Sequence, residues 1–118
     1  MPLTTPNTQA LVCRTLASPL TFIGTSDSAW RNSSDLRALG VSSQASAVML
    51  FIAQTVGSTL IALSRYPDSI AMEWLSLANG GGRSILCPVG HTGAYTYFRY
   101  RSTGGTTTFL ILGELLLV

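Results

Sequence analysis

The run ASAVMLFIAQTV at Ala45–Val56 constrains the fold more than any other stretch of the chain. Its alternating positions are apolar in both sets, with Val48 and Leu50 in one set and Met49 and Phe51 in the other. A solvent-washed antiparallel sheet normally alternates apolar with polar residues. The run therefore predicts a central strand covered on both sides. A helix is the alternative, since Ala, Met, Leu and Gln are helix formers, but length and β-branching favour the strand.

Strand-length segments separated by Gly or Pro turns surround this run. STLIALSR follows Gly57 and predicts the returning strand of a first hairpin, and the tract Gly80–Gly82 predicts another hairpin connection. The segment Asn32–Gly40 predicts one short helical turn with Asp35 in its first turn. The pattern predicts an all-β chain, an antiparallel jelly-roll-like β-sandwich of about six to eight strands.

The segment AYTYFRYR predicts a final hairpin, turned by STGGT and closed by TTFLILGELLLV. Gly113 within the last segment predicts a β-bulge or a close backbone approach. Strict alternation divides AYTYFRYR into two faces, one with Tyr95, Tyr97, Arg99 and Arg101, the other with Thr96, Phe98 and Tyr100.

Composition and the termini place limits on function. Hydrophobic residues make up 47% of the 118 residues and charged residues only 10%, so charge alone cannot keep the whole outside polar. Residues 1–10 predict an extended N-terminal arm, and residues 11–118 a single β-sandwich domain. The opening residues lack the pattern of a signal peptide, and FLILGELLLV is about half the length of a membrane-spanning helix. We expect neither a leader nor a transmembrane anchor.

Residues with reactive or metal-binding side chains are few and scattered. Cys13 and Cys87 are far apart and belong to no CxxC pattern, which favours two buried thiols over a metal site or a disulfide. His91 stands alone in a glycine-flanked turn, and the five acids are dispersed. Seven arginines give a net charge of +2 without a basic stripe. We therefore predict no enzyme activity, no cofactor, no metal and no nucleic-acid partner.

The middle of the chain resembles a jelly-roll module of tailed-bacteriophage virion proteins, notably capsid decoration (cement) proteins and, second, tail-fibre tips. The resemblance covers roughly residues 30–115, and Ser42–Ser43 departs from it where a Pro is common. The residues that carry it are Trp30, Asp35, Leu36, Leu39, Gly40, Val41, Ala45, Ala47, Val48, Leu50, Arg65 and Ser69.

The resemblance implies a non-enzymatic virion protein that is assembled in the host cytoplasm. It would decorate and stabilise the capsid surface by binding between major capsid subunits. With the excess of apolar residues, it leads us to expect a homo-oligomer, a trimer by preference, that is bound to the major capsid protein and to no membrane. The alternative is a tail-fibre or receptor-binding module in which Trp74 and three tyrosines, Tyr95, Tyr97 and Tyr100, contact a carbohydrate.

These expectations assign two groups of contact residues. The predicted oligomer or partner interface consists of Met49, Phe51, Tyr95, Tyr97, Arg99, Arg101, Phe109, Ile111 and Leu115. The predicted capsid-contacting residues of the arm are Pro2, Leu3 and Pro6.

Overall fold

A computed structural model describes the backbone of residues 11–117 and the side chains of residues 12–16 and 21–116. This part of the chain forms nine β-strands and no helix. The predicted arm at residues 1–10 lies outside the described residues. The strands are β1 (Leu11–Ile23), β2 (Arg31–Asn32), β3 (Ala45–Val56), β4 (Thr59–Arg65), β5 (Glu73–Leu77), β6 (Gly82–Pro88), β7 (Gly90–Thr92), β8 (Tyr95–Ser102) and β9 (Thr106–Leu117).

The strands form two antiparallel sheets that face each other. The four-stranded sheet has the order β1-β9-β3-β6, and the second sheet has the order β2-β8-β4-β5, with β7 also paired to β8. Successive strands cross from one sheet to the other except at the β4–β5 and β7–β8 connections. Two four-stranded sheets joined in this order make a jelly roll. The predicted jelly-roll-like sandwich is confirmed, with β7 as an addition to eight principal strands.

Three predicted hairpins are wrong, because the strands on either side of each turn lie in different sheets. β3 pairs with β6 and β9 and therefore has no free edge for β4. The glycine tract joins β5 to β6 across the sandwich, and β8 and β9 are likewise in opposite sheets. A short Gly-containing turn accommodates an arch between sheets as readily as a hairpin within one. The positions of the turns were therefore predicted correctly, but the pairing of the strands that they connect was not.

The predicted helical turn is present only as a hydrogen-bonded turn after β2. The Leu39 N–H donates to the carbonyl of Leu36, and the Gly40 N–H donates to that of Arg37, at 3.1 and 3.0 Å. Gly40 ends the turn with a φ of 96°. Asp35 accepts hydrogen bonds from the backbone N–H groups of Arg37 and of Thr96 in β8, both at 3.1 Å. Asp35 was expected only within the first turn of this segment, and it additionally fixes the turn to the second sheet.

An aromatic cluster fills the middle of the sandwich. Phe22 stacks on Phe109 with ring centroids 4.9 Å apart, and Tyr100 lies at the same distance from Phe109. Phe98 completes the cluster, and Leu36 from the turn is buried against it without any exposed surface. These contacts hold the two sheets together mainly by the burial of apolar surface.

A polar group closes one end of the core. The Gln54 amide donates to the carbonyls of Val56 and Gly104 at 2.9 and 3.1 Å and accepts from the Thr107 hydroxyl at 2.7 Å. Ser102 lies beside Thr107, with their hydroxyls 3.3 Å apart. Every polar atom of the buried Gln54 side chain is therefore hydrogen-bonded, as burial of an amide requires.

Candidate interaction surfaces

The outer side of the four-stranded sheet is apolar and carries no charged residue among the side chains described on it. We call it the apolar face. Its members, taken from the strand register, are Cys13, Thr15, Thr21, Ile23, Ala47, Met49, Phe51, Ala53, Ser84, Leu86, Thr108, Leu110, Leu112 and Leu115.

The central strand β3 has one fully buried side and one half-covered side. Val48 and Leu50 have no exposed surface, because they face the second sheet. Met49 and Phe51 lie on the apolar face and are half-buried by their neighbours in the same sheet. The Phe51 ring lies over Gly82, where an added Cβ would come within 2.5 Å of it. The prediction of apolar side chains on both sides of this strand is confirmed.

A shallow groove of about 560 Å³ runs along the apolar face. Leu86 of β6 forms one wall, Leu112 and Leu115 of β9 form the other, and Met49 lies between them. Leu86 is 52% exposed. Leu86 and Leu112 were absent from the predicted interface, because neither position can be assigned to a face without the pairing of β6 and the bulge in β9.

A β-bulge in β9 changes which residues reach the apolar face. Ile111 pairs with Leu50 while Gly113 pairs with the adjacent Met49, so Leu112 is an extra residue. An added Cβ on Gly113 would come within 2.8 Å of the Arg14 carbonyl oxygen. Gly113 is therefore both a bulge position and a close approach, as predicted.

The bulge also corrects the predicted interface. Phe109 and Ile111 have no exposed surface and belong to the core, so they cannot contact a partner. Alternation counted without a bulge places Phe109, Ile111 and Leu115 on one face. Because the bulge reverses the alternation, Leu115 faces outward while the other two face inward.

The same reversal points the Glu114 side chain toward the interior of the protein. Glu114 is fully buried, its carboxylate forms an ion pair with Arg14 of β1, and it accepts the Ser42 N–H at 2.7 Å. Arg14 is half exposed. The carboxylate thus joins the edge strand and the loop before β3 to β9, which is a structural role.

The outer side of the second sheet has a different character, and we call it the tyrosine–arginine face. Its aromatic residues and arginines are Tyr66, Trp74, Tyr95, Tyr97, Arg99 and Arg101. The Tyr97 ring lies 5.2 Å from that of Tyr66 and 6.0 Å from that of Tyr95, between centroids. Partial burial, with Asp35 nearby, raises the pKa of Tyr97. The predicted alternation of β8 is confirmed on both faces.

The two arginines of this face differ in how their nitrogens are used. Arg99 donates to the carbonyls of Pro67 and Trp30 and to the Ser69 hydroxyl, so it holds two loops against β8. Arg101 donates its Nε to the carbonyl of Ser28 at 2.8 Å. Its terminal nitrogens have no hydrogen-bond partner within the described residues, and they remain available to a ligand.

The aromatic residues proposed for carbohydrate contact are separated by the fold. Tyr100 is only 3% exposed, faces the core, and accepts the Thr25 N–H at 2.7 Å through its hydroxyl. Tyr95 and Trp74 are 51% and 50% exposed on the tyrosine–arginine face. Tyr100 therefore does not belong to any surface platform.

His91 connects the two sheets at the end of the sandwich. Its Nε2 lies 2.7 Å from the Ala45 carbonyl, and its Nδ1 lies 2.7 Å from the Thr96 hydroxyl. The Arg37 guanidinium donates to the same hydroxyl at 2.8 Å and lies 3.3 Å from Nδ1. A carbonyl beside Nε2 fixes the proton there, so the ring is a bridging group. His91 is exposed to solvent, but it lies in β7 rather than in the turn that its flanking glycines suggested.

The two cysteines are free, and their surroundings differ. Cys87 is buried, and burial raises its pKa to about 12. Cys13 is exposed on the apolar face, where its Sγ lies 3.5 Å from the Met49 Sδ. The expectation of two buried thiols therefore holds only for Cys87.

A smaller cleft is also present. It has a volume of about 200 Å³, lies between the edges of β5 and β6, and is lined mainly by apolar side chains including Leu63, Met72 and Cys87. Across residues 11–117, no three His, Cys, Asp or Glu side chains are grouped so as to hold a metal ion. The same stretch contains no helix long and apolar enough to cross a membrane.

Comparison of the chain with protein-family models, with curated proteins and with solved structures finds no match.

Proposed function

We propose that this protein is a non-enzymatic structural subunit of a virion, which decorates a phage capsid by binding between major capsid subunits. The observation that carries the proposal is the apolar face, a sheet surface whose described side chains include no charged group. Large exposed apolar patches mark sites of protein association. A chain built around such a face acts by being packed against other chains, and its site of action is the capsid surface.

The tyrosine–arginine face is the surface that we assign to the capsid shell. Tyr, Trp and Arg are the residue types enriched at protein interfaces, and Tyr95, Trp74 and Arg101 present them together. The unengaged guanidinium nitrogens of Arg101 suit a carboxylate of the shell. Arg99 contributes indirectly, since it holds the loops that border this face.

Co-sedimentation with purified shells of the major capsid protein from the same virus tests this assignment. We expect the wild-type chain to pellet with the shells and Arg101→Glu to lose most of that binding. Arg83→Glu is the matched control, because Arg83 is an exposed arginine on β6, away from this face. The absence of wild-type binding, or equal binding by both variants, would contradict the proposal.

The alternative function, recognition of a carbohydrate by a tail-fibre or receptor-binding module, rests on the row formed by Tyr66, Tyr97 and Tyr95. Aromatic rings on a sheet surface can stack on sugar rings. A glycan array separates the two functions: binding that Tyr95→Ala abolishes, without shell binding, would favour the module. Tyr100→Phe is the control, since Tyr100 is buried away from that surface.

A further inference from the structure

The apolar face is large enough to form a stable protein interface by itself. Its four strands lie about 4.8 Å apart and rise about 3.3 Å per residue, which gives a face of roughly 700 Å². Stable interfaces bury about 800 Å² on each partner. A partner that covered the whole face would therefore form a contact of standard size without help from the rest of the molecule.

Charge decides which partner fits. The described side chains of the apolar face include no Asp, Glu, Lys or Arg, so two copies can stack these faces without opposing like charges. Stacking two tyrosine–arginine faces would instead place Arg99 and Arg101 of one copy near the same residues of the other. A like-charge contact of that kind is unfavourable when it is desolvated. Self-association is thus compatible with the first face and opposed at the second.

The shape of the face suits a sheet rather than a single chain segment. Sheets pack face to face about 10 Å apart with interdigitating side chains. The groove between Leu86 and the pair Leu112 and Leu115 can receive side chains from an opposing sheet. Because the two surfaces are identical, a two-fold axis closes the contact with two copies.

We propose that two copies of this chain pair through their apolar faces, sheet against sheet, and leave the tyrosine–arginine faces exposed on opposite sides of the dimer. The inference rests on the proposed function, according to which other chains cover the apolar face. It identifies the covering chain as a second copy of this protein, which gives a dimer. The sequence-based preference for a trimer is the competing stoichiometry.

Sedimentation velocity of the full chain, with variants matched in exposure, tests the proposal. We expect twice the chain mass at about 10 µM, where a standard-size interface is populated. Leu86→Glu should weaken pairing by about 100-fold or more, because it buries a carboxylate of each copy in an apolar contact. Trp74→Glu is the control: this residue is 50% exposed on the opposite outer surface, on the corresponding edge strand, and should leave pairing unchanged.

Cys13 supplies a second readout that does not depend on mutation. It lies on the apolar face next to Met49, so pairing should slow its reaction with iodoacetamide as the protein concentration rises. The buried Cys87 provides the slow reference in the same sample. Circular dichroism of Leu86→Glu, compared with wild type, confirms that loss of pairing is not loss of fold.

The outcomes separate this inference from the proposed function. A monomer with concentration-independent Cys13 labelling overturns pairing, as does a trimer or an assembly that Leu86→Glu does not disrupt. Shell binding by such a monomer or trimer would leave the proposed function in place. A dimer that Leu86→Glu dissociates supports the inference even where shells are not bound, and that combination would refute only the proposed function.

Discussion

Replacement of Gln54 by leucine tests whether the polar end of the core contributes to stability as its hydrogen bonds indicate. Gln54→Leu preserves the approximate shape and removes two donated bonds and one accepted bond. Each bond contributes about 0.5–1.5 kcal/mol net. The two carbonyl acceptors belong to residues near the surface, so water can replace the lost donor there and limit the destabilisation. We therefore expect a loss of about 2–3 kcal/mol, which lowers Tm by about 10 °C in a domain of this size.

A second variant tests the orientation of the amide. Gln54→Glu keeps an oxygen toward Thr107 but replaces the donating nitrogen with an oxygen that faces the carbonyls of Val56 and Gly104. We expect it to be at least as destabilised as Gln54→Leu at neutral pH, because a buried carboxylate beside two carbonyls has no donor there.

Urea unfolding followed by tryptophan fluorescence measures both variants against a matched control. Gln44→Leu removes an exposed glutamine and should change the free energy of unfolding by less than about 0.5 kcal/mol. A Gln54→Leu protein as stable as Gln44→Leu would refute the reasoning. A stable Gln54→Glu protein would refute the assigned orientation of the amide.

Three further predictions concern single sites elsewhere in the sandwich. Gly105→Ala should lose about 3 kcal/mol by urea unfolding, since its φ is 68° and the new Cβ would meet a carbonyl oxygen, whereas Gly104→Ala should lose less than about 1 kcal/mol. Burial raises the pKa of the Cys87 thiol from 9.0 to about 12, so the stability that the neutral thiol contributes is complete below pH 9.0 and is lost as the pH rises to about 12. The free energy of unfolding of Cys87→Ala should therefore fall less steeply over this pH range than that of wild type, and an equal slope would contradict the prediction. Arg14→Leu should cost about 1–3 kcal/mol, because it leaves Glu114 buried without its cation, and adding Glu114→Gln should recover part of the loss in a double-mutant cycle.

Much of the fold could be predicted because apolar periodicity depends on local residues alone. The run at 45–56 indicated a strand with apolar side chains on both sides, and β8 showed which residues would face the core. The pairing of strands could not be predicted in the same way. A glycine turn shows where the chain reverses, but whether the next strand joins the same sheet depends on which edges are already occupied.

The candidate surfaces were predictable only in part, for a related reason. Met49 and Phe51 lie on the outer side of the sheet, as alternation indicated, because β3 is regular from Ala47 to Ala53 in its pairing with β6. Phe109 and Ile111 were placed on the wrong side because the bulge in β9 lies between Ile111 and Leu115. Gly113 signalled that bulge, yet its effect on the following residues requires the register of the neighbouring strand. Properties that depend on long-range strand register are the ones that local sequence patterns do not reveal.

The extra residue at Leu112 sets the phase of everything that follows it in β9. Straightening β9 with Leu112 retained would restore an uninterrupted two-residue repeat and turn the last part of the strand over, so that each later residue faces the opposite side of the sheet. Glu114 would then emerge on a face whose other described side chains carry no charge, and Leu115 would enter the space that now holds a carboxylate. A slip of one residue in the register of β9 would thus place a carboxylate on each of two faces that now associate, and these faces would repel each other while most of the jelly roll stayed intact.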